Sequence, residues 1–297
     1  MRRRFVTLDV FTLKRFSGNP LAVVFEPDGL DTAAMQTIAR EFNYPETVFV
    51  LPPDDPARRA RLRIFTPANE LPFAGHPTVG TAVALARTSG GKSQSFIVAE
   101  KVGPVPCEVT MRDADSGEAT FTLPQLPAES GTVAEPGAMA AALGLDPADI
   151  GGDLTAGRWS AGVAFVLLPI KSLAAMAKAQ PDPARFDSTF GAGGPGRAYL
   201  FCRETSDQGS DFHARMFAPA MGIPEDPATG SAAAAFAGLI AAQARLGDGS
   251  HRFRIEQGYE MGRPSQIDLT LTIAGGKLTK GTIGGGAVVT CEGTIEA

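Results

Sequence analysis

Apolar and polar positions change rhythm several times along the chain, and each rhythm predicts an element. Residues 5–10 alternate around Phe5, Thr7 and Asp9, and residues 21–25 run Leu-Ala-Val-Val-Phe, so both read as strands. From Asp31 the period changes. Met35, Ile38 and Ala39 fall on one face, and Asp31 follows Gly29-Leu30 as a cap, predicting a helix over 31–42. Strands follow over 47–51 and 61–65, then a loop, then an alanine-rich helix from Pro77 to about Arg87, which Gly90-Gly91 stops. Strand patterns at 95–99, 107–111 and 121–123 complete the first half.

The second half repeats that order. A strand at 163–168 precedes Leu173-Ala174-Ala175-Met176, which echoes the stretch from Leu30 to Met35. Strands at 198–202 and 212–217 lead to a second alanine-rich helix from Pro227 to about Leu246, and strands at 253–256, 267–273 and 287–291 close the chain. The echo extends to short motifs. His76-Pro77-Thr78-Val79-Gly80-Thr81-Ala82 and Asp226-Pro227-Ala228-Thr229-Gly230-Ser231-Ala232 share one pattern, and Arg63-Ile64-Phe65-Thr66-Pro67 and Arg215-Met216-Phe217-Ala218-Pro219 precede them. A repeat half a chain apart indicates a duplicated domain. The Pro- and Gly-rich stretch 124–137 reads as the linker, dividing the chain into domains 1–128 and 129–297, with a final strand that can return to the first. Short strands, one long helix per half and no βαβ alternation predict an α+β fold. Neither alanine-rich helix has a wide polar face, so each is expected to be buried all round by its own sheet.

Composition narrows the partners. With 44% hydrophobic and 20% charged residues the chain reads as an ordinary soluble protein. A net charge of -5 speaks against nucleic acid or an anionic membrane surface as a partner. Arg2-Arg3-Arg4 is followed by a strand pattern rather than an apolar core, so it does not read as a secretion signal. The apolar stretch 232–242 is too short to span a bilayer. Cys107, Cys202 and Cys291 are scattered and odd in number, which fits small buried hydrophobes in a reducing cytoplasm better than disulfides or a metal site.

Three groups carry candidate chemistry. His76 and Asp226 are read as N-caps, with Pro77 and Pro227 at the first helical positions and Gly80-Thr81 and Gly230-Ser231 nearby. Such a helix start either is a plain cap or binds a carboxylate or phosphate. Two of them in related halves are expected to meet at a domain boundary. Glu46, between Pro45 and the strand Thr47-Val48-Phe49-Val50, either is solvated or has a raised pKa, above about 4.3, and moves protons. Thr229-Gly230-Ser231 lacks the G-x-S-x-G spacing of a serine hydrolase, and the glycine-rich 191–196 lacks the ending of a phosphate loop and reads as a turn. Trp159 and Tyr199 read as packing.

These residues resemble the phenazine-biosynthesis PhzF-like isomerase family. The resemblance rests on Ser17-Gly18-Asn19-Pro20-Leu21-Ala22-Val23-Val24, Asn43-Tyr44-Pro45-Glu46-Thr47-Val48-Phe49 and Arg63-Ile64-Phe65-Thr66-Pro67. It continues in Glu70-Leu71-Pro72-Phe73-Ala74-Gly75-His76-Pro77, the segment 226–232, Gln257-Gly258, Met261-Gly262-Arg263-Pro264-Ser265 and Ile283-Gly284-Gly285-Gly286-Ala287-Val288, in family order. It implies a diaminopimelate-epimerase-like fold of two pseudo-symmetric halves, each an antiparallel sheet wrapped on a central helix. It also implies a homodimer that works without a cofactor or metal. By the same carry-over Glu46 is the acid/base, His76, Asp226 and Ser231 bind and polarise a small carboxylate substrate, and Gly75 and Gly230 admit it to backbone N–H groups. Related racemases of this fold use one cysteine per half. Neither helix start here carries one, which speaks against two-thiol racemisation. The rival readings are a binding protein that keeps the pocket without turnover, and a different chemistry, such as hydration or lactone opening, in the same pocket.

Overall fold

The computed structural model describes residues 1–192 and 194–297. The chain divides into two compact units, Met1–Pro124 with Ile283–Ala297, and Gln125–Thr282.

The strands of the first unit are β1 (Arg2–Val10), β2 (Asn19–Phe25), β3 (Glu46–Leu51), β4 (Ala60–Phe65), β5 (Glu70–Leu71), β6 (Ser93–Glu100), β7 (Gly103–Met111) and β8 (Ser116–Thr122). The end of the last strand of the chain, which spans Lys277–Glu296, joins them. β1 pairs with β2 and with that last strand, β2 runs parallel to β3, β3 pairs with β4, and β4 runs parallel to β6. β6 pairs with β7, β7 with β8, and β8 with the last strand, which closes a ring of eight strands, with β5 hanging from β4. Helix α1 (Thr32–Phe42) connects β2 to β3 and packs Met35 and Ala39 on Val24, Phe49 and Phe65. Its cap is Asp31, as expected, accepting from the Ala34 N–H at 2.8 Å. Helix α2 (Gly75–Ser89) touches β1, β2, β3, β7 and β8, and every residue from Gly75 to Ala86 is buried.

The second unit repeats this wiring. Its strands are β9 (Ala128–Gly131), β10 (Gly157–Ser160), β11 (Ala164–Pro169), β12 (Ala198–Cys202), β13 (Phe212–Ala218), β14 (Ile223–Asp226), β15 (Gly249–Gln257) and β16 (Ser265–Ala274), before β17 (Lys277–Glu296) leaves it. β10 pairs with β9 and with β11, and β12 with β13, all antiparallel, while β11 runs parallel to β12. β13 pairs antiparallel with β14 and parallel with β15, which pairs antiparallel with β16. This is the pairing of β1 through β7, element for element. Short helices α3 (Pro136–Ala141), α4 (Leu173–Lys178) and α5 (Phe186–Phe190) cover one face through Met139, Met176, Phe186 and Phe190. The central helix α6 (Gly230–Gln243) is buried at Gly230 and from Ala232 to Ile240 and packs on β9, β10, β11 and β16.

Two expectations shift, and a third falls partly outside the described residues. The sequence shows no βαβ alternation, yet each unit contains two parallel pairs, bridged by α1 and α2 in one and by α4–α5 and α6 in the other. The proline-rich 124–137 is not bare linker. It contains β9 and the start of α3, because even an exposed four-residue strand is ordered when β10 offers it a ladder. The glycine-rich turn read at 191–196 includes Gly193, which lies outside the described residues. Tyr199 and Trp159 do pack: Tyr199 is fully buried against Phe236, and the Trp159 ring lies where a side chain on Gly238 would stand.

An enclosed helix needs small residues where strands press closest. A Cβ on Gly80 would stand 2.6 Å from Leu21 Cδ2 and 2.7 Å from Val10 Cγ2, whereas one on Gly137 in α3 would meet nothing within 4 Å. Gly80→Ala is therefore expected to destabilise by about 1–3 kcal/mol through overpacking. Gly137→Ala is expected to stabilise by roughly 0.5–1 kcal/mol through reduced backbone entropy. Denaturant midpoints of the two variants check this, and equal shifts would contradict the tight contact.

Candidate active site

Glu46 opens β3, paired in parallel register with Leu21 of β2, and its side chain is 13% exposed. His76 is the second residue of α2, with its side chain 5% exposed. The first unit brings these two together: Glu46 Oε2 lies 3.2 Å from His76 Nε2, though off the direction of a hydrogen bond. The contact has the distance of an ion pair without its charge. Burial pushes the His76 imidazolium down to about 3, and a hydrogen bond to the Pro20 carbonyl offsets only part of that, so the ring is neutral at neutral pH. Gly75 is the first residue of α2, beside the N–H groups that have no acceptor within the helix.

The two helix starts differ from the sequence reading and from each other. The cap of α2 is Ala74, in extended conformation, and His76 and Pro77 lie inside the first turn. In the second unit Asp226 ends strand β14, opposite Met216, and the helix starts at Gly230 after Thr229. Neither His76 nor Asp226 is therefore an N-cap. The reason lies in partners distant in sequence. The Asp226 carboxylate accepts the Thr229 hydroxyl at 2.6 Å. Gln257, fully buried on β15, donates to the Asp226 carbonyl at 2.7 Å and to Thr229 Oγ1 at 3.0 Å, and accepts the Thr229 N–H at 3.1 Å. Gly258, at φ 79°, lies so near Pro227 that a Cβ would stand 2.6 Å from its carbonyl oxygen. Residues 226–229 are thus stapled as a loop, and Gly230 and half-buried Ser231 follow as the first turn of α6.

Residues 8–293 match the phenazine biosynthesis-like protein family, PhzC-PhzF. The chain belongs to that family. It is 48% identical to an uncharacterized isomerase of Mesorhizobium japonicum, over 99% of this chain and 98% of that protein. It is 35% identical to the trans-2,3-dihydro-3-hydroxyanthranilate isomerase of Pseudomonas aeruginosa, over 98% of each. Among solved structures it is similar to the PhzF-family phenazine biosynthesis protein of Bacillus anthracis, with a TM-score of 0.90, 27% identity and complete coverage of both chains. The fold is the diaminopimelate-epimerase-like α+β fold that the sequence resemblance implies.

In this PhzF-family chain none of the three cysteines belongs to the first turn of either central helix. Cys107 and Cys202 are buried, as expected, with thiols pushed up to about 12, chiefly by burial. Cys291 is exposed, against expectation, because it sits on β17 next to a register shift in the pairing with β1. Among the described residues no group of three or more His, Cys, Asp or Glu is placed to hold a metal. Among the described residues no helix is long and apolar enough to cross a membrane.

The sequence gives no local sign of a cluster on β13 and β15. His213 is 1% exposed, with Nδ1 2.7 Å from Glu256 Oε1 and Nε2 3.0 Å from Glu260 Oε1. Burial works against the charged ring, but the bonds to Glu256 and Glu260 outweigh it and hold His213 up to about 9. Next to it, Arg215 makes a two-point contact with Glu225 at 2.8 Å, one residue before Asp226. Only the even spacing of Arg215, His213 and Glu256 along two strands could have suggested this. Their pairing emerges with the parallel register His213–Glu256.

The two histidines have opposite signs on stability. His76, lower in the folded chain than its ordinary 6.5, contributes stability that is present above 6.5 and is lost as pH falls toward about 3. His76→Asn is expected to remove one proton's worth of that slope, about 1.4 kcal/mol per pH unit inside the window. Urea unfolding of wild type and variant across the window measures it. Parallel curves would mean that the ring is already charged.

Proposed function

We propose that this chain is a cofactor-independent isomerase in which Glu46 moves a proton on a small, unsaturated or cyclic amino-acid-like carboxylate. In this reading His76, Asp226 and Ser231 bind and polarise the substrate, and Gly75 and Gly230 let its carboxylate approach backbone N–H groups. The reading extends to a cytoplasmic homodimer with no nucleic-acid or membrane partner. The observation that carries it is the Glu46–His76 contact of 3.2 Å at the start of an enclosed helix.

A neutral imidazole has no proton to lose at neutral pH beyond the one bonded to Pro20. Its Nε2 lies 3.2 Å from the carboxyl and carries no proton to exchange. Proton traffic then falls to Glu46. As carboxylate it takes a proton from one substrate carbon, the double bond shifts, and as carboxylic acid it returns a proton to a second carbon. No electrons leave the substrate, so no oxidant is needed. The relatives called isomerases support the reaction class. The dihydro-hydroxyanthranilate for which the Pseudomonas aeruginosa relative is named is accordingly the first compound to try.

Glu46→Gln keeps the shape but cannot exchange a proton. Turnover is expected to fall by roughly 10²–10⁴-fold, with ligand affinity retained. In deuterated water the wild type is expected to leave deuterium in substrate or product. Equal turnover by wild type and variant would remove Glu46 from the mechanism. Asp226→Ala is expected to abolish ligand binding, measured by calorimetry. Asp153→Ala, which breaks the exposed pair with Arg203, is expected to bind as wild type. Retained binding in Asp226→Ala would leave that carboxylate a structural role on Thr229.

A further inference from the structure

Buried polar groups at the starts of the two central helices are held by matching strands. In the second unit the holder is Gln257, whose amide bonds Asp226 and Thr229. On β13 and β15, Ala214 lies beside Gln257, one residue before Arg215. On β4 and β6, Arg61 lies beside Ala99, and the next rung of that register sets Leu62, one residue before Arg63, beside Glu100. Arg63 and Arg215 open the matching Arg-x-Phe-x-Pro segments. A carboxyl group therefore occupies, in the first unit, the place that an amide occupies in the second.

Glu100 is 7% exposed at the end of β6. Its Oε1 is 2.7 Å from Thr78 Oγ1, and the same hydroxyl is 2.7 Å from the carbonyl oxygen of Ala74, the cap of α2. A threonine hydroxyl has one proton to give. An ionised Glu100 would leave two acceptors competing for it. A carbonyl oxygen cannot donate, so both short contacts are hydrogen bonds only when Glu100 supplies a proton to Thr78 and Thr78 donates to Ala74. The other carboxyl oxygen has no hydrogen-bond partner among the described residues, as suits an un-ionised acid better than a buried anion.

We propose that Glu100 is a positioning residue that stands as a neutral carboxylic acid and, through Thr78, fixes the first turn of α2 bearing Gly75 and His76, and that its ionisation releases that turn. Burial agrees, pushing its carboxyl up to about 8 against a partial offset from Thr78. The groups facing it come from every neighbouring element. They are the Cys107 thiol on β7, Arg61 and Arg63 on β4, Glu70 on β5, Lys101 in the following turn, and Asp54 and Arg58 before β4. Arg63 is already paired with Glu70 and Arg58 with Asp54, while Arg61 and Lys101 are exposed, where solvent screens their pull. Cys107, up at about 12, stays a thiol throughout.

The sign of the effect follows from linkage. A carboxyl raised from 4.5 to about 8 by folding contributes stability that is complete below 4.5 and is lost as pH rises through about 8. The test is thermal unfolding of the full chain, without ligand, for wild type, Glu100→Gln and Glu100→Ala, between about pH 5 and pH 9. Gln offers Thr78 an N–H at every pH. Its unfolding midpoint is expected to match wild type at the acid end and to exceed it increasingly toward the alkaline end, with the Ala variant below both at the acid end. His213 titrates in part of this range in all three proteins and cancels in the differences. The His76 ring resonances of the wild type are expected to shift with a midpoint near 8, and to hold still in the Gln variant. Parallel unfolding curves for wild type and Gln would overturn the proposal. So would a Glu100 carboxyl carbon titrating at the ordinary value of about 4.3, a wild-type measurement that needs no variant to fold. His76 signals blind to the transition would overturn the positioning role. Glu100 matters for the proposed isomerase through His76, but no readout needs substrate, so failure of the isomerase reading leaves this result intact.

Discussion

Enclosing a helix in a closed ring of strands removes water from its sides and from its first turn, and much else in the first unit answers to that constraint. Twelve consecutive residues of α2, from Gly75 to Ala86, are buried, so the helix is built from alanine, glycine, valine and threonine rather than from an amphipathic stripe. The strands approach until Gly80 has no room for a Cβ. Polar atoms carried into this space must find partners or give up charge. The Thr78 hydroxyl lies 2.7 Å from both the Ala74 carbonyl and the Glu100 carboxyl, and His76 bonds the Pro20 carbonyl and stays neutral. The candidate site is thus a by-product of confinement, because the same burial that demands small residues sets the protonation of the groups at the helix start.

The second repeat meets the same constraint with different chemistry. There the segment ahead of α6 is held by an amide, Gln257, and the neighbouring strands carry full charges in pairs. His213 has a carboxylate on each ring nitrogen, so both nitrogens donate, and Arg215 holds Glu225 while also donating to the Met176 and Ala179 carbonyls. Buried charge at this density persists only where each charge has an opposite partner at hydrogen-bond distance. The Arg215–Glu225 pair has its counterpart in Arg63–Glu70, so the copies differ in their histidines: one backbone plan supports a neutral His76 in one copy and a His213 between two carboxylates in the other.

What was legible in the sequence was whatever has a local signal. Asp31 capping α1 shows in a spacing of three residues, and the alanine-rich helices show in their composition, so the cap and the existence of both helices follow the pattern. The duplicated motifs read through to duplicated topology. The helix starts were misplaced because Pro at a first turn is a good rule only when the preceding residue is free to cap. Gln257, distant in sequence, captures residues 226–229 instead, and the turn at Gly75 forms one residue earlier than His76. The parallel pairs were hidden for a related reason: periodicity reports which face of a strand is buried and not the direction of its neighbour. Glu100, His213 and Glu256 could not be singled out, since each owes its state to a partner more than twenty residues away.

The unequal decoration of equal repeats bears on what kind of proton chemistry this frame can serve. Inverting one carbon requires one base on each face of it, and a duplicated domain supplies that when both copies carry the same group at the helix start. Here the copies carry His76 and Asp226, with no cysteine at either position, and Glu46 has no repeat-related carboxylate among the matched motifs. A proton moved between two carbons along one face needs a single group that alternates between acid and base, plus binding groups that hold the substrate still during the transfer. In the function proposed above, a neutral histidine and a carboxylate already tied to a threonine hydroxyl are holders rather than bases. In that proposed division of labour the frame serves a proton shift rather than racemisation.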